Sequence, residues 1–265
     1  MTSNSVITEI DSRGVGTIRL NRPEKHNAFD DAIIAELDTA IAGFAKNPEL
    51  RVVVLASEGK SFSAGADLGW MQRMASYSHE ENLADARALA EMLRKLNTLP
   101  QPTIARVQGA AFGGAVGLVS CCDIAIGSEQ AKFCLSEVRI GLIPATISPY
   151  VIAAMGQRAA RRYFISAEVI AASTACQLGL LSEQVAADEL DARVEQHIQT
   201  LLGNSPAGIR AAKRLVLDYG NRSICAELIE DSCKQIADIR VSEEGQAGLA
   251  AFLNKSPAPW SNNNV

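Results

Sequence analysis

The feature that most constrains this chain is a repeated unit: an apolar strand runs into a small-residue turn, and the turn opens a helix. Val52–Ala56 is such a strand and is followed by the turn at Ser63–Asp67. Thr103–Val107 is a second strand and leads into the glycines of Gly109–Ala115. Uninterrupted β-branched runs are typical of parallel strands covered on both faces. The repetition predicts an α/β fold of stacked strand–strand–helix turns.

The two ends of the chain have different patterns. Val6–Ile10 and Val15–Leu20 predict a hairpin, because a short polar turn ending in glycine joins them. A stripe of apolar residues behind Asp30 and Asp31 then predicts a helix. From about residue 150 the strand signal nearly vanishes, and amphipathic helices are predicted over 157–165, 188–202, 206–219, 223–239 and 242–253.

These patterns divide the chain into a spiral core at 1–195, which holds the candidate site, and a helical region at 196–265. The apolar faces of the C-terminal helices exceed what short helices bury by themselves. We therefore expect this region to pack on the core or on other subunits.

Composition excludes several classes of function. The net charge of −5 over 265 residues cannot supply the basic field that nucleic acids require. Gly109–Cys122, the longest uncharged apolar stretch, has 14 residues, short of the ~20 that span a membrane. The first residues lack the pattern of a signal peptide, which favours a cytoplasmic location. Six scattered cysteines and three histidines give no metal-ligand spacing, so we expect buried free thiols and no metal.

Three segments are candidates for chemistry. The turns at Ser63–Leu68 and Gly109–Ala115 both end buried strands, so their backbone N–H groups can face an anionic oxygen. For the first turn, a simple strand-to-helix connection capped by Asp67 is an alternative. In the third segment, Glu137 lies among apolar residues, which favours general acid/base use. An ion pair between Glu137 and Arg139 on an exposed strand is the alternative.

The chain resembles the enoyl-CoA hydratase/isomerase (crotonase) superfamily. Within it, the chain is most similar to the bacterial 3-methylglutaconyl-CoA hydratases of leucine breakdown and the isohexenylglutaconyl-CoA hydratases of acyclic terpene breakdown. The motifs that carry the resemblance follow the order of the family and span nearly the whole chain: Asn21–Ala28, Ser63–Leu68, Gln108–Gly114, Cys122–Ala125 and Ser136–Pro144.

The resemblance implies a spiral of ββα turns with a helical C-terminal region, assembled as homotrimers or as homohexamers built from two trimers. It implies an enzyme that adds water to an α,β-unsaturated acyl-CoA, with coenzyme A as part of the substrate and no separate cofactor. The N–H groups of Ala64 and Gly114 would stabilise the thioester oxygen, and Glu137 would be the acid/base.

The resemblance also implies a set of coenzyme A contacts. Lys25 would lie near the phosphates, and Phe252 and Lys255 would reach coenzyme A bound to a neighbouring subunit. For that last pair, an ordinary amphipathic helix end is the alternative. The path of the adenine and pantetheine would be lined by four further residues: Ala28, Ala66, Asp67 and Leu68.

The sequence departs from the family pattern at two places. Gly117 stands where the two-carboxylate hydratases have a second Glu, so Glu137 would act in both steps or a substrate carboxylate would orient the water. Residues 144–147, Pro-Ala-Thr-Ile, replace the glycines that many relatives have after the proline. A branched acidic acyl group would need a cation, for which Arg73, Arg87 and Arg94 are candidates. Ordinary solvated helix charges are the alternative.

Other functions stay open at this point. Relatives with one acid include Δ3,Δ2-enoyl-CoA isomerases and acyl-CoA decarboxylases. Some methylglutaconyl-CoA hydratase relatives bind RNA, but helix 30–47 is acidic here. A non-catalytic scaffold homologue is a further alternative, against which the retained Glu137 and both turns argue.

Overall fold

The hairpin at the start of the chain is the edge of a six-stranded sheet. The computed structural model describes residues 5–261; residues 1–4, which are part of the segment read for a signal peptide, lie outside them. The strands, in chain order, are β1 (Val6–Ile10), β2 (Val15–Leu20), β3 (Val52–Ser57), β4 (Thr103–Val107), β5 (Ala110–Phe112), β6 (Ile124–Ser128), β7 (Lys132–Cys134), β8 (Ile170–Ala171) and β9 (Glu183–Val185).

Helices connect these strands and form the C-terminal region. They are α1 (Asp31–Ala45), α2 (Leu68–Met74), α3 (His79–Asn97), α4 (Gly114–Ser120), α5 (Ser148–Ser166), α6 (Ala172–Leu178), α7 (Leu190–Leu202), α8 (Pro206–Tyr219), α9 (Ala226–Val241) and α10 (Glu243–Leu253). Short 3-10 helices lie at Pro23–Lys25, Glu137–Ile140 and Ala187–Glu189.

The large sheet has the strand order β1-β2-β3-β4-β6-β9. Only the β1–β2 pair is antiparallel, which confirms the predicted hairpin, and the other pairs are parallel. β3 is buried at every residue, as its unbroken apolar run predicts. Val53 and Leu55 face the main core, whereas Val52, Val54 and Ala56 face a second core. The sheet is therefore covered on both faces.

A second, smaller sheet lies beside the first and carries the site. β5 pairs in parallel with β7, and β7 pairs antiparallel with β8. Two isolated parallel bridges, Ser63 to Ala111 and Phe29 to Ala66, extend it toward the earlier turn of the chain. The strand–glycine turn–helix units thus stack as a spiral, and the α/β fold with a helical C-terminal region is confirmed.

Several boundaries differ from the sequence predictions. The short strands β5, β7, β8 and β9 were not predicted, because each is formed by pairing of only two or three residues. α5 begins at Ser148, whereas the sequence predicts a helix only from residue 157. Gly156, with φ +77° and ψ 154°, divides α5 into two halves, and the prediction covers only the second half. Residue 195 lies in the middle of α7, whose Leu190, Val194 and Ile198 complete the second core. The structural division therefore falls after this helix.

The cysteine prediction is wrong at two positions. All six cysteines are free, and Cys121 and Cys134 are buried as expected, but Cys225 and Cys233 are exposed. Both exposed thiols lie in the α9 region, which has little core of its own. Within residues 5–261 no group of His, Cys, Asp and Glu is arranged to hold a metal ion. No helix in that range is long and apolar enough to cross a membrane.

Candidate active site

The first donor turn has a different geometry from the one predicted. The N–H of Ala64 donates to the carbonyl of His26 at 2.9 Å, so it is already used within the protein. The assignment of Ala64 as an oxyanion donor is therefore wrong. Gly65, the next residue, has φ +92°, a conformation open to glycine at little steric cost. Because Gly65 interrupts the extended backbone, the N–H groups of Ala64 and Ala66 do not point in the same direction, as those of residues i and i+2 do in a regular strand.

The N–H of Ala66, two residues further on, is the alternative donor in this turn. In the bridge with Phe29, the N–H of Phe29 donates to Gly65 and the N–H of Asp67 donates to Phe29, at 2.9 and 3.0 Å. The N–H of Ala66 consequently points away from Phe29. Within residues 5–261 no acceptor is found for it. The sequence assigned Ala66 only to the coenzyme A path.

The second donor turn lies directly beside the first. A Cβ on Gly65 would lie 2.8 Å from the carbonyl oxygen of Phe112, so only glycine permits this approach of the two backbones. Gly113 has φ +54° and donates to Cys134 at 2.8 Å. Gly114 begins α4, and its N–H, like other first-turn amides, has no partner within the helix. The turns that carry the amides of Ala66 and Gly114 therefore lie against each other.

Phe29 supports this arrangement from beneath. Its ring is 2% exposed, and a Cβ on Gly114 would lie 2.6 Å from its Cζ. The same residue forms the bridge with Ala66. A single aromatic side chain with its backbone therefore contacts both donor turns, which fixes them relative to each other.

Glu137 faces the second turn. It opens the 3-10 helix that follows β7, and its Oε1 lies 3.3 Å from where a Cβ on Gly113 would be. Its Oε2 is buried without a hydrogen-bond partner. Burial raises the pKa of the Glu137 carboxyl above its usual range. A carboxyl with raised proton affinity and one uncommitted oxygen can accept a proton and return it.

The predicted alternative of a Glu137–Arg139 pair on an exposed strand is wrong. The segment is a 3-10 helix, and Nη2 of Arg139 donates to the carbonyl oxygen of Ala167 at 2.5 Å. Arg139 thereby ties this helix to the connection between α5 and β8 and leaves Glu137 to the site.

Gly117, which stands where two-carboxylate hydratases have their second Glu, has apolar surroundings. Gly117 is buried in α4, and a Cβ added to it would lie 2.8 Å from the Cβ of Ile147 and closer still to its Cγ2. Ile147 is 2% exposed and Leu93 completes the contact at 3.6 Å. The volume of a side chain at position 117 is therefore already occupied by Ile147.

The residues assigned to coenzyme A fall into two groups. Asp67 accepts from the N–H groups of Gly69 and Trp70, at 2.8 and 3.3 Å, so the alternative in which it caps α2 is confirmed. Lys25 lies 3.4 Å from Asp67, which places it at the mouth of the donor turns. Ala28 is buried next to Phe29, whereas Leu68 is 76% exposed.

Phe252 and Lys255 lie elsewhere in the chain. They lie at the end of α10, which packs against α8 and α9 instead of the elements that hold Glu137. Phe252 is 81% exposed. A single copy of the chain does not bring these two residues into the site, so their assignment depends on a neighbouring subunit.

Sequence analysis missed the residue that shapes the first turn. Asn27 is 1% exposed, accepts from the N–H of Arg22, and donates to the carbonyls of Glu58 and Ser61 at 2.7 and 2.9 Å. It has φ +53°, next to His26 at +51°. These contacts hold the carbonyl of His26 against Ala64. The paired left-handed residues give no strong signal in a single sequence.

Two of the three candidate arginines are already paired. Arg73 contacts Asp31 at 2.5 Å, and Arg94 contacts Glu91 at 2.7 Å. Both pairs are solvent-exposed surface contacts. Arg87 is exposed and has no ion-pair partner among residues 5–261.

Comparisons with known proteins identify the family of this chain. The family model described as enoyl-CoA hydratase/isomerase matches residues 11–263. A crystal structure of an enoyl-CoA hydratase from Shewanella pealeana is 46% identical, with TM-score 0.94, over 97% of this chain and 96% of that one. An enoyl-CoA hydratase structure from Mycobacterium smegmatis is 30% identical, with TM-score 0.92, over 97% and 99%. Enoyl-CoA hydratase ACTT6 of Alternaria alternata is 34% identical over 69% of this chain and 62% of its own length.

Proposed function

The chain belongs to the enoyl-CoA hydratase/isomerase family, and from this premise we propose that it adds water across the double bond of an α,β-unsaturated acyl-CoA, with Glu137 as its acid/base. One observation supports this most directly. The Glu137 carboxyl has a buried oxygen without a partner and lies beside the turn that exposes the N–H of Gly114. Relatives named enoyl-CoA hydratases are consistent with a hydro-lyase of this family.

The two amides act on the thioester. When water adds to C3 of the enoyl group, electron density moves to the carbonyl oxygen and an enolate-like transition state develops. The N–H groups of Ala66 and Gly114 donate to that oxygen, where their hydrogen bonds strengthen as the charge grows. The glycines at 65 and 113 hold the donors in place before the reaction.

Glu137 handles both proton transfers. Its carboxylate takes a proton from the attacking water as the C–O bond forms at C3. The same carboxylic acid then gives that proton to C2 as the enolate collapses to the saturated thioester. Its raised pKa suits both roles, because an acid and base works best when its pKa is near the operating pH. Since Ile147 covers Gly117, no second protein carboxylate shares this work at that position.

The finer substrate proposal is a branched acidic enoyl-CoA, 3-methylglutaconyl-CoA or isohexenylglutaconyl-CoA. Arg87 supports it, because it is the candidate cation on α3 that carries no ion pair within the described residues. A carboxylate on the substrate would also orient the water that one acid must activate. Coenzyme A would enter past Lys25 and Ala28, without any further cofactor.

A trimeric or hexameric assembly belongs to the same proposal. The C-terminal helices leave large apolar side chains exposed, among them Val241 at 77% and Phe252 at 81%. A second copy packed there would bury them and bring Phe252 and Lys255 toward a neighbouring coenzyme A. A cytoplasmic location stays a prediction.

Loss of enoyl-thioester absorbance tests the proposal. Purified protein is mixed with 3-methylglutaconyl-CoA, isohexenylglutaconyl-CoA and crotonyl-CoA, each with wild type and Glu137→Gln. We expect rapid loss with a branched acidic substrate and little with the variant. Equal rates for wild type and variant would contradict the role of Glu137. No loss with any substrate would favour the isomerase or decarboxylase alternatives, which product analysis separates.

A further inference from the structure

The guanidinium of Arg22 bridges the carboxylates that begin two helices. Its Nη1 lies 3.3 Å from Oδ2 of Asp30, and its Nη2 lies 3.5 Å from Oδ2 of Asp67. Asp30 is the N-cap of α1, and Asp67 is the N-cap of α2. The side chains of Arg22, Asp30 and Asp67 are 16%, 19% and 12% exposed, so solvent screens these pairs less than it screens surface pairs. One cation therefore holds the starts of α1 and α2 together.

The two carboxylates flank the bridge that orients the first donor turn. Asp30 follows Phe29 and Asp67 follows Ala66, and Phe29 and Ala66 are the partners in that bridge. Its hydrogen bonds run from the N–H of Phe29 to Gly65 and from the N–H of Asp67 to Phe29. A change in the separation of Asp30 and Asp67 therefore moves the two segments of the bridge and, with them, the N–H of Ala66.

The backbone of Arg22 is bound to the same segment of the chain. Its N–H donates to Oδ1 of Asn27, and its carbonyl accepts from the N–H of Asn27, both at 2.9 Å. Nη1 also donates to the carbonyl of Ala28 at 3.5 Å. Backbone and side chain of Arg22 thus contact the segment before the bridge as well as the caps beside it.

Lys25 also contacts Asp67, but it restrains that carboxylate less than Arg22 does. Its Nζ lies 3.4 Å from Oδ2 of Asp67, its side chain is 54% exposed, and it contacts no second carboxylate among residues 5–261. Ion pairs of exposed lysines contribute little, whereas the planar guanidinium of arginine can hold two carboxylates at once. When Lys25 leaves Asp67 for a phosphate of coenzyme A, Arg22 remains as the cation of Asp67.

We propose that Arg22 is a positioning residue for the oxyanion donor: by pairing with Asp30 and Asp67, it holds the N–H of Ala66 in the direction in which it donates to the thioester oxygen. This inference rests on the proposed function, in which Ala66 is one of two donors. Arg22 acts through the two carboxylates and not by contact with the substrate.

The carbonyl stretch of a bound thioester tests the inference without catalysis. Butyryl-CoA labelled with carbon-13 at the thioester carbonyl has no double bond to hydrate, and infrared difference spectra report the hydrogen bonds that its carbonyl accepts. We expect a lower frequency on wild type than in solution, and a partial return toward the solution value in Arg22→Met. In hydration assays kcat of this variant falls by about 10- to 100-fold with little change in KM, a smaller loss than removal of a whole donor causes.

Arg13→Met is the matched control. Arg13 also pairs with two carboxylates, Asp11 at 2.8 Å and Glu195 at 2.5 Å, but it lies in the turn between β1 and β2. The carbonyl frequency on this variant should equal that on wild type. An unchanged frequency in Arg22→Met would overturn the inference. So would an equal change in Arg13→Met, because it would show a general effect of losing a paired arginine.

Asp67→Asn separates the ion pair from the helix cap, and it replaces Arg22→Met if that variant does not fold. Asparagine keeps the oxygen that accepts from the N–H groups of Gly69 and Trp70, but it has no charge to pair with Arg22. We expect the carbonyl frequency to move in the same direction as in Arg22→Met, and the double variant to add nothing further. Additive changes, or no change in Asp67→Asn, would overturn the pairing.

The two proposals fail in different ways. If wild type lowers the carbonyl frequency but hydrates no enoyl-CoA, the proposed function fails, and the variants still decide the role of Arg22. If the frequency on wild type equals that in solution, the amide of Ala66 does not act as a donor, and the inference about Arg22 is overturned with it.

Discussion

The spiral core and the C-terminal helices bury their residues to very different extents. Every residue of β3 is buried, as are five of the seven residues of α4. α8 has no buried residue, and α9 and α10 have one each, Leu228 and Ala251. The core is thus specified by contacts within one chain, whereas the C-terminal helices leave apolar side chains exposed. The proposed chemistry lies with the first region and the proposed assembly with the second.

The largest expected effect in the core is on catalysis. We expect Glu137→Gln to lower kcat by roughly 10² to 10⁴, the usual contribution of a positioned acid/base. Steady-state hydration kinetics measure this. Glu129→Gln is the control, since Glu129 is an exposed carboxylate outside the site. A normal kcat in Glu137→Gln would contradict the role of Glu137 and, with it, the proposal that the spiral core carries the chemistry.

The same substitution has a pH signature. Because burial raises the folded-state pKa of Glu137, its ionisation in the folded protein is disfavoured, and this costs stability as pH rises above the unfolded-state value. Glu137→Gln removes that cost. We therefore expect the variant to be more stable than wild type at neutral pH, with the gain disappearing in acid. Denaturant unfolding at pH 3 and pH 7 measures it, and a gain that is larger at pH 3 would contradict the assignment.

Glycine substitutions sharpen the comparison within the core. Gly65→Ala forces an L side chain into φ +92° and against the carbonyl of Phe112, so it displaces the N–H of Ala66. We expect a loss of about 10² to 10³ in kcat, as for removal of one oxyanion donor. Gly43→Ala is the control, because a Cβ there meets nothing within 4 Å and the site is helical. Its kinetics should match wild type.

The connection between the two regions predicts a smaller effect on stability. The side chain of Lys213 in α8 is 8% exposed, and its ammonium donates to Asp123 at 2.7 Å and to the carbonyl of Gln101 at 3.1 Å. We expect Lys213→Met to lower the free energy of unfolding by about 2 kcal/mol, because Asp123 and the carbonyl of Gln101 lose a charged donor and Asp123 keeps only its hydrogen bonds from Thr103. Arg214→Met should change it by less than about 0.5 kcal/mol, since the Arg214–Asp218 pair is solvent-exposed.

The smallest effect on a single chain is expected at Phe252. The side chain is 81% exposed, so Phe252→Ser should change the unfolding free energy of an isolated chain by less than about 0.5 kcal/mol. If a second copy covers α10, the same variant shifts light-scattering mass toward smaller species as protein is diluted. Identical mass and dilution behaviour in wild type and variant would show that Phe252 lies outside the assembly interface.

Predictions from the sequence succeeded where the signal is local. The β1–β2 hairpin, the buried β3 and the helix over 206–219 follow from alternation, an apolar run and helical periodicity. The predictions were wrong or missing where the conformation of a segment depends on another segment that pairs or packs with it. β9 has three residues and no apolar run, and it is a strand because it pairs with β6. The resemblance puts the oxyanion donor at Ala64, because the amino-acid sequence does not show that the backbone conformation of Gly65 changes the direction of the N–H of Ala66.

The sequence by itself determined the family, the α/β spiral and the candidate acid Glu137, because ordered motifs and buried strands are properties of the chain read in one dimension. Only the tertiary structure decided which amide of the first turn is available, that Arg139 binds Ala167 instead of Glu137, and that Ile147 fills the space above Gly117. These three features depend on which atoms from distant segments of the chain come into contact. Close packing excludes most of the arrangements that are equally compatible with the sequence patterns.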